Sequence, residues 1–231
     1  MRPLRDRSQP RYAPQRLRVI GNNASLTTAH AHAHHGPDPM PASSPSHCAT
    51  PRFWRDAQLP FIEARSIADG RKVCYARHSH EIFSIGAITS GCCNYLHEKT
   101  SHRISAGTVV LMNPGDVHAC NPVEDQQWSY VMLYVDAQWL AGIQQGFDED
   151  AGGLFQPIAA TYTQSRALFN GLTGLTGLYA QLIDPDLEVL ARHEAAVKFF
   201  SAMQQELGGS VTLRKPAVSV RQAAQAGGAR R

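Results

Sequence analysis

With 231 residues the chain can bury one full hydrophobic core, and its net charge of +3 conceals an uneven distribution. Residues 1–52 carry seven Arg against Asp6 and Asp38, a net +5, and residues 210–231 add another +5 with no acid. Residues 53–209 hold ten cations against seventeen carboxylates, a net −7, which excludes a phosphate-gripping surface on the core.

Residues 1–52 are rich in Pro, Arg, Ser and His, with "TTAHAHAHHGPDPMPASSP" as the extreme case. Few large apolar side chains are available to offset ordering entropy, so a disordered arm is expected. Its His30, His32, His34 and His35 would bind metal through composition rather than through a built site. The arm has Arg but no hydrophobic segment, so no secretory signal is expected. No apolar run is long enough to span a bilayer, and no membrane association is expected. The five cysteines (Cys48, Cys74, Cys92, Cys93, Cys120) are odd in number and lack CxxC spacing. Reduced thiols in a cytoplasmic protein are the simplest reading.

The ordered chain is expected to begin near Phe53-Trp54, and from 61 to 135 it reads as short strands. The expected strands are Phe61–Ile67, Lys72–Arg77, Ile82–Thr89, Cys93–His97, His102–Ile104, Thr108–Met112 and Trp128–Val135. Breaks fall at Asp69-Gly70, Ser90-Gly91, Ala106-Gly107, Asn113-Pro114-Gly115-Asp116 and Asn121-Pro122. Regular short strands without strand–helix alternation point to a mainly β barrel or sandwich over 53–136.

Helical spacing takes over after Asp136. "DAQWLAGIQQG" predicts a short helix with Asp136 as N-cap and Gly146 as stop. Leu168, Leu172, Leu175, Tyr179 and Leu182 form one stripe over 164–183. Leu190, Val197, Phe200 and Leu207 form another over 186–207. The expectation is an antiparallel helical hairpin within 137–209, followed by a basic, unpatterned tail at 210–231.

The chemistry lies in the histidines. In a strand, alternate residues share a face, so His78 and His80 of "HSH" point the same way. "GTVVLMNPGDVH" carries a strand into a Pro-Gly turn and delivers His118. Folding these segments together could gather three neutral imidazoles, a set that suits Fe, Zn, Cu or Ni.

"HSH" with Gly91, followed by Gly107-x6-Pro114-Gly115-x2-His118-x2-Asn121, resembles the paired motifs of the cupin superfamily. Metal-binding cupins usually add a Glu after the second His. Here Glu81 is expected to face away, and Ser84 stands about where that Glu would sit. The flanks narrow the resemblance. "FWRDAQLPFIEARSIADGRKVCYARHSHEIFSIGAITSG", "AGTVVLMNPGDVHACNP" and "WSYVMLYVD", in this order and spacing, resemble the effector-binding and dimerisation domain of AraC-family transcription regulators, over roughly 53–207.

The resemblance implies a cupin-like jelly-roll barrel holding a small organic effector, and helices forming a contact in a homodimer or with a full-length relative. An apolar interior with a few convergent polar groups is a small-molecule pocket on physical grounds also. Its expected lining is Tyr75, His78, His80, Ser84, His118, Trp128, Tyr130 and Met132, the last three sharing one face by parity. Leu190, Val197 and Phe200 are the expected dimer residues; helical spacing alone would make them core. Family members carry helix-turn-helix units after this domain. "KPAVSVRQAAQ" resembles the linker and the opening of that region, so a truncated or stand-alone effector domain is expected, binding DNA only where a helix-turn-helix is supplied. No catalytic role and no cofactor are expected. The alternative is a small cupin oxygenase or isomerase with metal on His78, His80 and His118.

Overall fold

Alternation along the strands decides the architecture. The computed structural model describes residues 18–19, 51–124, 126–147 and 152–208. Two antiparallel sheets face each other. One runs, in spatial order, β1 (Arg18–Val19), β4 (His78–Ser79), β9 (His118–Pro122), β6 (Cys92–His97) and β7 (Thr100–Ser105). The other runs β11 (Tyr162–Thr163), β8 (Val109–Met112), β5 (Phe83–Ser90), β10 (Ser129–Val135), β3 (Ile62–Ile67) and β2 (Arg52–Arg55). This is the expected mainly β, cupin-like jelly-roll barrel, followed by helices.

The second sheet is buried on both faces. Ile67, Ile88, Val110, Met112, Tyr130 and Met132 point into the barrel and meet Cys93, Tyr95 and Ile104 of the opposite sheet. Their strand neighbours Ile62, Ala64, Phe83, Ile85, Leu111, Val131 and Leu133 point outward into a second core beneath the helices. That double burial explains the continuous apolar runs "FSIGAI" and "VVLM", where a one-sided sheet would alternate apolar and polar residues. Gly91 makes the hairpin from β5 to β6 possible. It sits at φ +66, and a Cβ there would lie 2.0 Å from the Gln127 carbonyl oxygen.

Helix α1 (Ala137–Gln145) starts as expected: Asp136 accepts a hydrogen bond from the Trp139 amide at 2.8 Å, and Gly146 follows its last turn. Helices α2 (Arg166–Thr173), α3 (Leu178–Ile183) and α4 (Val189–Leu207) complete the cover. Leu168, Leu172, Leu178, Leu182, Phe199 and Met203 pack onto the outer face of the sheet. Two polar ties fix the cover on the barrel. Arg192 donates to Asp56 at 3.0 Å, and the Tyr179 hydroxyl donates to Ser66 Oγ at 2.7 Å.

Several expectations change. The helix expected over 164–183 is broken between α2 and α3, where Gly174 turns extended and Leu175 is 100 % exposed, off the apolar stripe. The simple hairpin is therefore two short helices laid against α4. Phe200 is not available as a dimer residue: it is fully buried in its own chain, edge-on to Trp139 (5.6 Å) and Phe199 (5.2 Å). Val197 is partly buried, and Leu190 is 68 % exposed. Lys72–Arg77 is a loop rather than a strand, because a side chain replaces the ladder there. The Tyr75 amide donates to Asn121 Oδ1 at 2.7 Å, and Asn121 Nδ2 donates back to the Tyr75 carbonyl at 3.1 Å. Strand β9 was not anticipated between its Pro-Gly turn and Pro122. Within the stretch expected to lack structure, Arg18–Val19 pairs with His78–Ser79 as a short edge strand. The His-rich segment, Cys48 and the basic tail lie outside the described residues.

Candidate functional site

The barrel interior opens into a small cavity of about 40 Å³. Strand parity supplies one wall. Tyr130, Met132 and Tyr134 alternate inward along β10, with Trp128 just before it, and Trp128 and Tyr130 stack at 5.0 Å between centroids. Gly70 makes room for Trp128, since a Cβ there would lie 2.4 Å from the indole nitrogen. Ile88, Val110 and Met112 add apolar wall from β5 and β8.

The opposite side carries the histidines. His78 on β4 stands directly across from His118 on β9, and His80 follows two residues later. Ring centroids lie 4.4 Å apart for His78 and His118, 5.0 Å for His78 and His80, and 5.1 Å for His80 and His118. One ligand atom from each ring lies within 4.8 Å of the other two. The backbone fixes two of the tautomers. His118 Nδ1 bonds the Asp116 carbonyl oxygen at 3.0 Å, and His78 Nδ1 bonds that of Ala76 at 2.8 Å. A carbonyl only accepts, so each Nδ1 carries the proton and a neutral ring keeps its Nε2 lone pair free. His80 Nδ1 is buried without a hydrogen-bond partner.

Burial, reinforced by the neighbouring imidazoles and Arg65, pushes His80 down to about 3. Burial also lowers His118 to about 4, against the opposing effect of its bond to the Asp116 carbonyl. Both rings are therefore neutral at physiological pH. No carboxylate lines the cavity among the described residues; Asp116 is occupied by His97 at 3.0 Å and by the Asn113 amide at 3.0 Å.

Seven of the eight expected pocket residues line this cavity: Tyr75, His78, His80, His118, Trp128, Tyr130 and Met132. Ser84 does not. It is fully buried with its Oγ unpartnered, and its short side chain stands in register between Met112 and Tyr134, the longer residues that form the wall. Sequence reasoning missed Tyr134, although the parity of Trp128, Tyr130 and Met132 continues to it. It also missed Arg65, for which the signal was a cation inside the strand "IEARSI". Arg65 donates to the Tyr75 hydroxyl, which lies 2.7 Å from the Tyr130 hydroxyl. Its guanidinium also lies over the Phe53 ring at 5.3 Å and the Tyr75 ring at 5.2 Å.

No helix among the described residues is long and apolar enough to cross a membrane. Among solved structures, the chain is similar to a Cupin 2 conserved barrel domain protein from Salinispora arenicola, at 22 % identity and a TM-score of 0.32, over 38 % of this chain and 76 % of that one. It is similar to a cupin protein from Bacteroides fragilis at 16 % identity and a TM-score of 0.34, over 42 % and 84 % of the two chains. An RmlC-like cupin family protein with a double-stranded β-helix fold from Methanocaldococcus jannaschii matches at 10 % identity and a TM-score of 0.34, over 41 % and 87 %. No curated protein matches the chain. The family model of the AraC-like ligand binding domain matches residues 61–193, more than half of the chain, including both histidine segments, the cavity walls and most of the helical cover. The chain belongs to the AraC-like ligand binding domain family.

Proposed function

We propose that this chain is the effector-sensing module of an AraC-type transcription regulator, in which a small organic molecule enters the barrel. The observation that carries the reading is the cavity itself: stacked aromatic and aliphatic walls with a few convergent polar groups and, among the described residues, no carboxylate, within a ligand-binding family. The small enclosed volume means that Met132, Met112 and the Tyr75 loop must shift when a ligand seats. Methionine suits such repacking because it is unbranched. Binding stabilises the folded chain by mass action, about 2.7 kcal/mol at a hundredfold excess over Kd. A thermal-shift screen of small metabolites should therefore yield compounds that raise Tm. Filling the interior with Met132→Trp should abolish each of those shifts; a shift that survives would put the ligand elsewhere.

Regulation would pass through a dimer, with the same chain or a full-length relative, and DNA would be contacted through helix-turn-helix units. The outward face of α4, with exposed Leu190 and half-buried Val197, is the surface assigned to that contact. Sedimentation of the parent and of Leu190→Glu tests it, with weaker self-association expected in the variant.

The carbonyl-fixed tautomers favour one second reading. Three imidazoles that each bring one ring nitrogen within 4.8 Å of the other two are chemically competent to hold Fe, Zn, Cu or Ni on His78, His80 and His118. Such an ion would supply Lewis acidity or redox chemistry to a bound substrate, and the chain would then be a small cupin enzyme.

A further inference from the structure

Among the described residues Arg65 is the only lysine or arginine lining the cavity, and no carboxylate among them forms an ion pair with it. A half-buried guanidinium normally faces an anion, because desolvating an uncompensated charge is costly. Here its partners are neutral. One terminal nitrogen donates to the Tyr75 hydroxyl, the Tyr130 hydroxyl stands behind that, and Nε is buried with no acceptor. The Phe53 and Tyr75 rings lie over the guanidinium. Burial opposes the charge, but the phenol oxygens of Tyr130, Tyr75 and Tyr134 outweigh it and hold the pKa above its ordinary value, so the cation persists. Burial raises the pKa of each of these three tyrosines, so they remain protonated donors.

We infer that the ligand is a small organic monocarboxylate with an apolar, one-ring body, its carboxylate received by the planar fork of Arg65 and by the phenol hydroxyls of Tyr75 and Tyr130. This rests on the reading of the cavity as the effector site. The fork matches a carboxylate because Nε and the neighbouring terminal nitrogen donate in parallel to two oxygens, and Nε now has nothing to donate to. A single cation balances a single negative charge. A phosphate dianion would be left under-compensated, since the remaining polar lining is phenols and histidines rather than further Arg or Lys. The body of the acid would lie between the Trp128–Tyr130 stack and Ile88, Val110 and Met112. The Tyr75 loop, tethered through Asn121, would close over the carboxylate end.

The test is calorimetric titration of the full chain with benzoate and phenylacetate, each paired with its neutral amide, benzamide or phenylacetamide. At least one acid should bind saturably, with its amide at least about tenfold weaker. Arg65→Gln should lower the acid's affinity by roughly 10- to 100-fold and erase the acid–amide difference. Arg65→Lys, which keeps the charge but loses the fork, should retain part of that difference, and it carries the test if Arg65→Gln does not fold. Acids and amides binding alike, or Arg65→Gln binding the acid like the parent, would overturn the inference. If amides bind and Met132→Trp excludes them, the pocket reading stands and the carboxylate assignment falls. If neither acid binds, the assignment is wrong; if no compound in the panel or the metabolite screen binds, the pocket reading falls with it.

Discussion

Acidification should destabilise this protein through the two buried histidines. In the folded chain His80 is lowered to about 3 and His118 to about 4, against an ordinary value near 6.5 in the unfolded chain. As pH falls below 6.5 the unfolded chain takes up both protons while the fold still refuses them. The stability is thus fully present above pH 6.5 and lost as pH drops toward the folded values. Each site contributes up to about 1.4 kcal/mol per pH unit, less close to pH 6.5 where the unfolded ring is only half protonated, so between pH 6.5 and 4.5 each costs about 2 kcal/mol and the pair about 4 kcal/mol. Both rings stay largely neutral in the fold across that interval, so their mutual repulsion adds little. The assay is urea unfolding at pH 7 and pH 4.5, for the parent and for His80→Gln/His118→Gln, whose amides do not titrate. With a urea slope near 2 kcal/mol/M, the parent midpoint should fall by about 2 M more than that of the variant. Equal falls would mean that these histidines titrate normally in the fold and would refute the buried, neutral cluster.

Phe200→Ala should cost about 3–5 kcal/mol of stability, measured by urea unfolding, because it empties the core between α4 and the sheet. Leu190→Glu should stay within about 0.5 kcal/mol of the parent while weakening self-association, so the two variants separate core from contact. Elemental mass spectrometry of the parent and of His80→Gln/His118→Gln should give equal metal content. One equivalent of Fe, Zn, Cu or Ni lost in the variant would place a metal on the histidine cluster and favour the second reading.

The barrel was legible because its signals are local. Glycine turns, short apolar runs and strand parity are written residue by residue, and parity alone brought Trp128, Tyr130 and Met132 to one wall. The histidine site was legible because His78 and His80 share a strand face and the Asn-Pro-Gly-Asp turn delivers His118 opposite them. What failed depended on tertiary context. Phe200 and Leu190 carry the same helical period, and nothing local says which of them meets the sheet. The break at Gly174–Gly177 overrode an otherwise regular leucine stripe. Ser84 had the right parity, but its side chain is shorter than those of its neighbours in register. Arg65 resembled a solvent-facing strand residue until Tyr75, from a loop ten positions away, folded over it.

Occupation of the barrel by a small organic molecule is tested most directly at Trp128, the one tryptophan that lines the cavity. In a chain carrying Trp54→Phe and Trp139→Phe, every emission change reports on that wall. Compounds that raise Tm should alter Trp128 fluorescence saturably, with the same midpoint as in calorimetry. Stabilisation with unchanged Trp128 emission would place the ligand outside the barrel and contradict the assignment of its interior as the effector site.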